Sequence, residues 1–263
     1  MQGTCKSGSL YFLLRLSGLF VLASSGSSLN NRLVRINITG QEIQPLSLPS
    51  VSRLMLGESL SAQDLPEERG EHVSVKEAVL PFSRFAGADS VLGPEMKSTG
   101  EVMGIDSDFG RAFAKSQIQA GNSLPTRGRV LVSVREEDRA AIGPVVRDLA
   151  AAGFAVLATP GTADSLAEIG VSAESVAKVG KSERGELDTV GRIEAGDVNL
   201  VINTVGSDPT AVRDSASIRR TALLRGLPYF TTVAAARAGA GAIRALQNES
   251  IGVRSLQEIH PKA

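Results

Sequence analysis

Polar side chains of the kinds that bind phosphate recur after apolar runs in the second half of the chain. They are Arg139, Thr159, Thr162, Lys178, Asn203 and Ser215. The turn Thr159-Pro160-Gly161-Thr162 leads into a helix that we expect to begin near Ala163, so hydroxyls, free backbone N–H groups and the positive end of a helix dipole coincide there. Gly161 lets an anion approach the backbone closely. Together with the two cations, this pattern predicts a site for a phosphate dianion.

Each of these residues taken alone also fits a purely structural role. Thr159 and Thr162 are typical helix caps, and Lys178 fits a solvated surface charge. However, ligands of open parallel sheets bind outside the carboxyl ends of the strands. The common position of these residues after successive strands therefore favours a shared site.

Five apolar runs of strand length position these side chains. They lie at 130–134, 154–158, 175–179, 199–205 and 227–231. Between the first two, Ile142, Val145, Val146 and Leu149 follow helical spacing, and Gly153 stands where a helix-ending glycine belongs. We expect a further helix to open at Ser215. This alternation predicts an α/β fold, in which a five-stranded parallel sheet has helices on both faces.

A partial, mixed α+β segment is expected before this sheet, at 51–121. The pattern predicts a short helix at 51–60, a strand at 72–82 and a loop rich in glycine and proline at 85–104. A helix capped by Asp106 is expected to bury Phe109, Phe113 and Ile118 and to end at Gly121. Residues 122–128 are predicted to be a linker, and the sheet domain follows at 129–263.

Residues 1–50 lack a clear period, and we expect them to be irregular or non-native. The apolar stretch at 10–23 superficially resembles a signal peptide, but Arg15 interrupts it. The stretch is also too short to span a bilayer comfortably. We therefore expect a cytoplasmic protein with no membrane partner.

Composition excludes several classes of function. Lys plus Arg and Asp plus Glu both number 28, so no basic field exists to hold nucleic acid. With Cys5 as the only cysteine and His72 and His260 as the only histidines, we expect neither a disulfide framework nor a metal site. No nucleophile–base set can be assembled from two distant histidines, so no catalytic residues are assigned. Two near-matches to nucleotide motifs, Gly180-Lys181-Ser182 and Gly239-Ala240-Gly241, lack required glycines.

Two contiguous segments resemble a known family. The segment KEAVLPFSRFAGADSVLGPEMKSTGEVMG at 76–104 resembles the end of the second synthetase half of the carbamoyl-phosphate synthase large chain, an ATP-grasp fold. The runs RVLVSVREEDR, ATPGTA, VAKV, VINT and DSASIRRTAL resemble that family's C-terminal allosteric domain, which is of the methylglyoxal-synthase-like (MGS-like) type. The resemblance covers about four fifths of the chain, from 51 to 262.

The resemblance implies a site for a nucleotide monophosphate effector such as UMP or IMP. It places this role on the same six residues, Arg139, Thr159, Thr162, Lys178, Asn203 and Ser215. Arg139 stands where a lysine is familiar, and Val205 stands where a hydroxyl residue is often found. Family members also bind ornithine, and the matching residues here are Glu77, Leu92 and Thr231.

The resemblance also implies partners and limits. The family's ATP-binding halves, which use Mg or Mn and K, lie upstream of everything matched here, so we expect this chain alone to make no carbamoyl phosphate. Expected partners are the missing upstream part of the large chain and the glutamine amidotransferase small chain. The resemblance places this complex in arginine and pyrimidine biosynthesis. Two alternatives remain: an inert truncated remnant, and a free-standing methylglyoxal-synthase-like lyase. The lyase is disfavoured because the chain contains no Gly-Gly-Asp.

Overall fold

The computed structural model of the chain describes residues 72–80, 98–183, 185–206, 208–248 and 250–255, together with short stretches at 19–22, 32–33, 46–47, 52–53 and 55–59 and positions 62 and 258. The strands are β1 (Leu19–Leu22), β2 (Arg32–Leu33), β3 (Leu46–Ser47), β4 (Val73–Val79), β5 (Gly100–Asp106), β6 (Gly128–Ser133), β7 (Phe154–Ala158), β8 (Glu174–Ser175), β9 (Leu200–Asn203) and β10 (Tyr229–Phe230). The helices are α1 (Phe109–Gln119), α2 (Arg139–Ala151), α3 (Pro160–Glu168), α4 (Thr189–Glu194), α5 (Pro209–Leu224) and α6 (Val233–Asn248).

The second half of the chain forms the predicted parallel sheet. Its strand order is β10-β9-β6-β7-β8, and every pair is parallel. Side chains of the central strand alternate between two cores: Val130 and Val132 lie in one, and Leu131 lies in the other with Ile193 and Ile218. Both faces of the sheet are therefore covered by helices, which confirms the fold class predicted from continuous apolar strands.

The helix that follows β6 carries the predicted apolar stripe. Ile142, Val145, Val146 and Leu149 are all buried in α2. Gly153 adopts a positive φ of 88° directly after this helix, a conformation that suits glycine. The 3.6-residue period thus identified the buried face of α2 correctly.

The edge strand β8 is much shorter than expected. Only Glu174 and Ser175 pair with β7, and Val176 N–H adds one more bond to Ala158 O at 2.8 Å. The chain then turns away, because Gly180 takes a φ of 65° and Lys181 N–H closes a turn onto Lys178 O at 3.0 Å. The prediction of a strand at 175–179 was wrong beyond its first residues.

The first half contributes an antiparallel sheet, β1-β4-β5. β4 falls within the strand predicted at 72–82, whereas β5 occupies the end of the predicted loop at 85–104. Gly104 explains the error: a Cβ there would lie 2.0 Å from Ala112 O, so this glycine lets α1 lie directly on the strand. Gly104, which the sequence pattern places in a loop, is needed for close packing.

α1 begins two residues later than expected, and one of its three predicted core residues is exposed. Asp108 caps it by accepting from Arg111 N–H at 3.1 Å, whereas Asp106 ends β5 and pairs with Lys115 at 2.7 Å. Phe113 is buried, as predicted, and the helix ends before Gly121, whose φ is 85°. Ile118, however, is 45% exposed, because the buried stripe runs through Ser116 and Gln117 instead.

The predicted linker at 122–128 is tied to the folded body. Leu124 is buried, and Thr126 O accepts from the Gln247 side chain at 2.6 Å. Val75 and Phe113 lie in the same apolar core as Val130. A common core therefore runs from the antiparallel sheet, through α1, to the parallel sheet.

The N-terminal part of the chain is described only in short pieces. β1 pairs antiparallel with β4, and β2 pairs with β3, within the segment predicted to be irregular. Of the helix predicted at 51–60, Ser52, Arg53 and Met55 are helical. None of the described helices is both long and apolar enough to cross a membrane.

Candidate functional site

The carboxyl ends of β6, β7 and β9 meet at the centre of the parallel sheet. Ser133 on β6 is in register with Asn203 on β9, and the Asn203 amide donates to Ser133 O at 3.1 Å. Asn203 is almost fully buried, and its Oδ1 has no hydrogen-bond partner among the described residues. This oriented amide therefore keeps an acceptor for a ligand donor.

The turn between β7 and α3 places two hydroxyls beside this amide-bearing edge. α3 begins at Pro160, three residues earlier than predicted, because Thr159 takes the cap position and proline suits the first helical position. Thr159 and Thr162 are both buried, and their Oγ1 atoms lie 3.2 Å apart. The Thr159 hydroxyl makes no capping bond to its own helix. The two hydroxyls therefore hydrogen-bond to each other at the positive end of α3, and Thr162 Oγ1 also accepts from Val134 N–H at 3.5 Å.

Arg139 reaches the same turn from the neighbouring helix. It is the first residue of α2, and a Cβ at position 161 would lie 2.6 Å from its Nη2 atom. The guanidinium therefore lies against the Gly161 backbone, and its Nε is buried without a hydrogen-bond partner among the described residues. The structure brings Arg139, Thr159 and Thr162 together, which the sequence pattern anticipated.

Ser215 lies deeper than expected. α5 begins at Pro209, and Asp208 caps it by accepting from Ala211 N–H at 2.8 Å, so the prediction that a helix opens at Ser215 was wrong. Ser215 is buried in the second turn, one helical turn before the buried Arg219. Asp208 followed by Pro209 is a stronger signal for the start of a helix than Ser215.

Lys178 is the member of the predicted set that is exposed. It stands in the turn that follows β8, and Ser175 of β8 is in register with Ala158, the last residue of β7. The structure therefore places Lys178 on a loop beside the end of β7, whereas the other five residues lie in helices or at the ends of strands.

A polar cluster on the loop after β6 lies outside the six predicted site residues, although Arg135 and Thr204 also lie at the ends of predicted strands. Arg135 N–H donates to Thr204 Oγ1 at 3.1 Å, and its guanidinium donates to Asp138 at 2.8 Å. Burial alone would raise the pKa of Asp138, but hydrogen bonds from Arg135 and Thr204 and the charge of Arg135 outweigh it and lower that pKa. The i, i+3 spacing of Arg135 and Asp138 was the available signal. This cluster fixes the central loop between the ends of β6 and β9.

The residues matched to an ornithine site lie elsewhere. Glu77 on β4 is buried, its Oε2 has no hydrogen-bond partner among the described residues, and burial raises its pKa to about 7 against a smaller opposing effect from a Gln117 hydrogen bond. Thr231 is half-buried and precedes α6. α1 and α6 pack closely, since a Cβ on Gly110 would lie 3.0 Å from Gly241 O. Leu92 lies outside the described residues.

Metal binding has no support from the part of the chain that the structure describes. No three His, Cys, Asp or Glu side chains gather there to hold an ion. The candidate site is instead formed by hydroxyls, one amide and cations, which suits an anion.

Comparison with known protein families indicates the class of domain. Residues 141–231 match the family model of the MGS-like domain. This range runs from α2 to just beyond β10 and contains the parallel sheet from β7 onward. Residues 141–231 are therefore similar to MGS-like domains, and the parallel α/β fold is consistent with that class.

The longer similarities are to carbamoyl phosphate synthase large chains. The chain is 49% identical over 213 residues to that of Mesorhizobium japonicum, covering 79% of this chain and 18% of the relative. It is 45% identical over 211 residues to that of Nostoc sp., covering 80% and 19%, and 44% identical over 209 residues to that of Methanoculleus marisnigri, covering 80% and 19%. The similarity is to the C-terminal region of these proteins, which confirms the resemblance stated from sequence motifs. The chain spans about one fifth of the length of these relatives.

Proposed function

We propose that this chain is the effector-binding part of a carbamoyl-phosphate synthase large chain. Its ligand is a nucleotide monophosphate such as UMP or IMP, whose phosphate binds at the carboxyl edge of the parallel sheet. The observation that carries this proposal is the contact of the Arg139 guanidinium with Gly161 at the beginning of α3, beside two buried threonine hydroxyls.

The chemistry of this edge matches a phosphate dianion. Gly161 belongs to the first turn of α3, where a backbone N–H without an intrahelical partner can face an anion, whereas Thr162 N–H donates to Thr159 O at 2.8 Å. The helix end contributes only about 0.3–1 kcal/mol per charge. Arg139 and Lys178 therefore supply most of the affinity through charge-assisted hydrogen bonds.

The deeper residues suit the nucleoside. The Asn203 amide donates to Ser133 O, and its buried Oδ1, which has no partner among the described residues, is the acceptor left for a ribose hydroxyl or a base N–H. Ser215 is buried on α5, whose Ile218 packs against one face of the parallel sheet. In this proposal, Asn203 and Ser215 bind the nucleoside part of the ligand.

Effector binding then regulates the complete synthase. The effector favours one arrangement of the domains, with a coupling of about 1–3 kcal/mol. In this proposal Glu77, Leu92 and Thr231 contact ornithine, and the chain works in the cytoplasm with the upstream part of the large chain and the amidotransferase small chain. In this proposal ATP with Mg or Mn, and K, act on the two halves upstream in the complete large chain, which serves arginine and pyrimidine biosynthesis.

Calorimetric titration of the full chain with UMP, IMP and ornithine separately tests the proposal. We expect UMP or IMP to bind and to raise the melting temperature, because a ligand at 100 times its Kd adds about 2.7 kcal/mol to the free energy of unfolding. Lys178→Ala and Arg139→Ala each remove a charged hydrogen-bond partner worth about 1.5–3 kcal/mol, so binding weakens roughly tenfold or more.

Lys181→Ala is the matched control, because Lys181 is an exposed lysine of the same turn. It should leave nucleotide affinity unchanged. An unaltered melting curve at millimolar UMP and IMP would refute the proposed function. Full-strength binding by Lys178→Ala would place the site elsewhere.

A further inference from the structure

The loop that carries Lys178 is held at two points by the residues that open α4. On one side of Lys178, Ala177 O accepts from Thr189 N–H at 3.0 Å. On the other side, Gly180 N–H donates to Asp188 Oδ2 at 2.7 Å. The dipeptide Asp188-Thr189 therefore brackets Lys178.

Asp188 uses both carboxylate oxygens for different elements. Oδ1 accepts from Gly191 N–H at 2.8 Å and caps α4, while Oδ2 holds the loop eight residues earlier in the chain. Asp108 and Asp208 are also helix caps, but the backbone N–H groups they accept from belong to their own helices. The bond from Asp188 to Gly180 is thus additional to capping.

The bond falls at the point that determines the shape of the turn. Gly180 has a φ of 65°, a left-handed conformation, and the turn closes through Lys181 N–H to Lys178 O at 3.0 Å. Glycine reaches this conformation easily but also leaves it easily. An anchor on its N–H keeps the backbone of the turn in one state.

We propose that Asp188 is a positioning residue for the effector, because it fixes the loop from which Lys178 reaches the ligand phosphate. This inference rests on the proposed function, in which Lys178 contacts that phosphate. An exposed lysine side chain already loses rotamer freedom on binding, and a mobile backbone would add to that cost. Asp188 removes the backbone part of the cost without touching the ligand.

A double-mutant cycle with UMP tests the proposal. We expect Asp188→Ala to weaken UMP binding about fivefold, close to 1 kcal/mol, and Asp188→Asn, which keeps one acceptor oxygen, to weaken it less. In a Lys178→Ala background, Asp188→Ala should cost almost nothing further, since the lysine it positions is gone. If Asp188→Ala acted only by disturbing the structure, it would weaken UMP binding equally in the wild-type and Lys178→Ala backgrounds.

Asp108→Ala is the matched control, because it removes the cap of α1. It should lower the melting temperature while UMP affinity stays at the wild-type value. Wild-type UMP affinity in Asp188→Ala, or full additivity with Lys178→Ala, would overturn the inference while leaving UMP binding established. Absence of UMP binding by the wild-type chain would instead overturn the proposed function.

Amide hydrogen exchange gives a readout that needs no ligand. The Gly180 amide should be protected in the wild-type chain and should exchange faster in Asp188→Ala, with wild-type protection retained in Asp108→Ala. Rapid exchange at Gly180 in the wild-type chain would show that Asp188 does not hold the loop.

Discussion

Glu77 shows how one buried side chain responds to its surroundings. Its carboxyl lies between β4 and α1, where burial raises its pKa to about 7 and a hydrogen bond from Gln117 lowers it by less. The folded protein therefore binds this proton more tightly than the unfolded chain does. By linkage, stability is greatest below the unfolded pKa and falls as pH rises through about 7.

Glu77→Gln should make the protein more stable at alkaline pH. The variant lacks the cost of ionising a buried carboxyl, so its free energy of unfolding should exceed that of the wild type by up to about 3 kcal/mol near pH 8. The difference should shrink toward zero near pH 4.5, the ordinary value for glutamate. Urea unfolding at several pH values measures it.

Asp106→Asn serves as a control, because it should change the stability in the direction opposite to Glu77→Gln. Burial alone would raise the pKa of Asp106, but hydrogen bonds from Lys115 and Ser107 and the charge of Lys115 outweigh it and lower that pKa. This variant should lose stability at neutral pH, and the loss should disappear on acidification. A pH-independent difference between Glu77→Gln and wild type would contradict a raised pKa at Glu77.

At the scale of elements, the two glycines of α6 differ in their role in packing. Gly239 faces the ring of Phe230, and a Cβ there would lie 2.3 Å from its Cε2 and Cζ atoms. Gly241 has open space where its Cβ would be, although its carbonyl oxygen approaches Gly110 of α1. Gly239 therefore lets α6 lie close to Phe230 of β10, whereas the close approach of α1 to α6 depends on Gly110 and not on Gly241.

Alanine substitutions at these two glycines should have opposite effects. Gly239→Ala should lower the free energy of unfolding by about 1–3 kcal/mol through overpacking against Phe230. Gly241→Ala should raise it by about 0.5–1 kcal/mol, because alanine is favoured over glycine inside a helix. Thermal unfolding followed by circular dichroism compares them, and equal effects at both positions would contradict the packing described for Phe230.

At the scale of the molecule, α1 joins the two sheets into one core. Phe113 is buried in the apolar cluster that also contains Val75 of β4 and Val130 of β6. The parts on either side of 122–128 should therefore share their stability, because neither buries its apolar surface alone.

Phe113→Ala should destabilise both sheets together. We expect a loss of about 3–5 kcal/mol in the free energy of unfolding, as for other buried phenylalanines. Amide hydrogen exchange should show the loss at β6 as well as β4. Ile118→Ala, on the exposed side of the same helix, should cost less than about 1 kcal/mol. Unchanged protection of β6 in Phe113→Ala would indicate two separate cores.

Local patterns predicted most of the parallel sheet and much of the candidate site. Thr159, Thr162 and Arg139 were found because each follows an apolar strand or opens a helix, and such positions are visible along the chain. The predicted burial of Ile118 was wrong because the helical period does not follow the buried face of α1 that far. The predicted start of α5 was wrong because Asp208 caps this helix seven residues before Ser215.

The sequence by itself determined the α/β class, the order of strands and helices in the parallel-sheet domain and the polar residues at its strand ends. Those features depend on residues close together in the chain, whose spacing reveals which face is buried. Only the tertiary structure decided that Gly104 receives α1, that Arg139 lies on Gly161 and that Asp188 anchors Gly180. These contacts join separate segments, so their energies depend on how the elements pack and leave no periodic trace in the sequence.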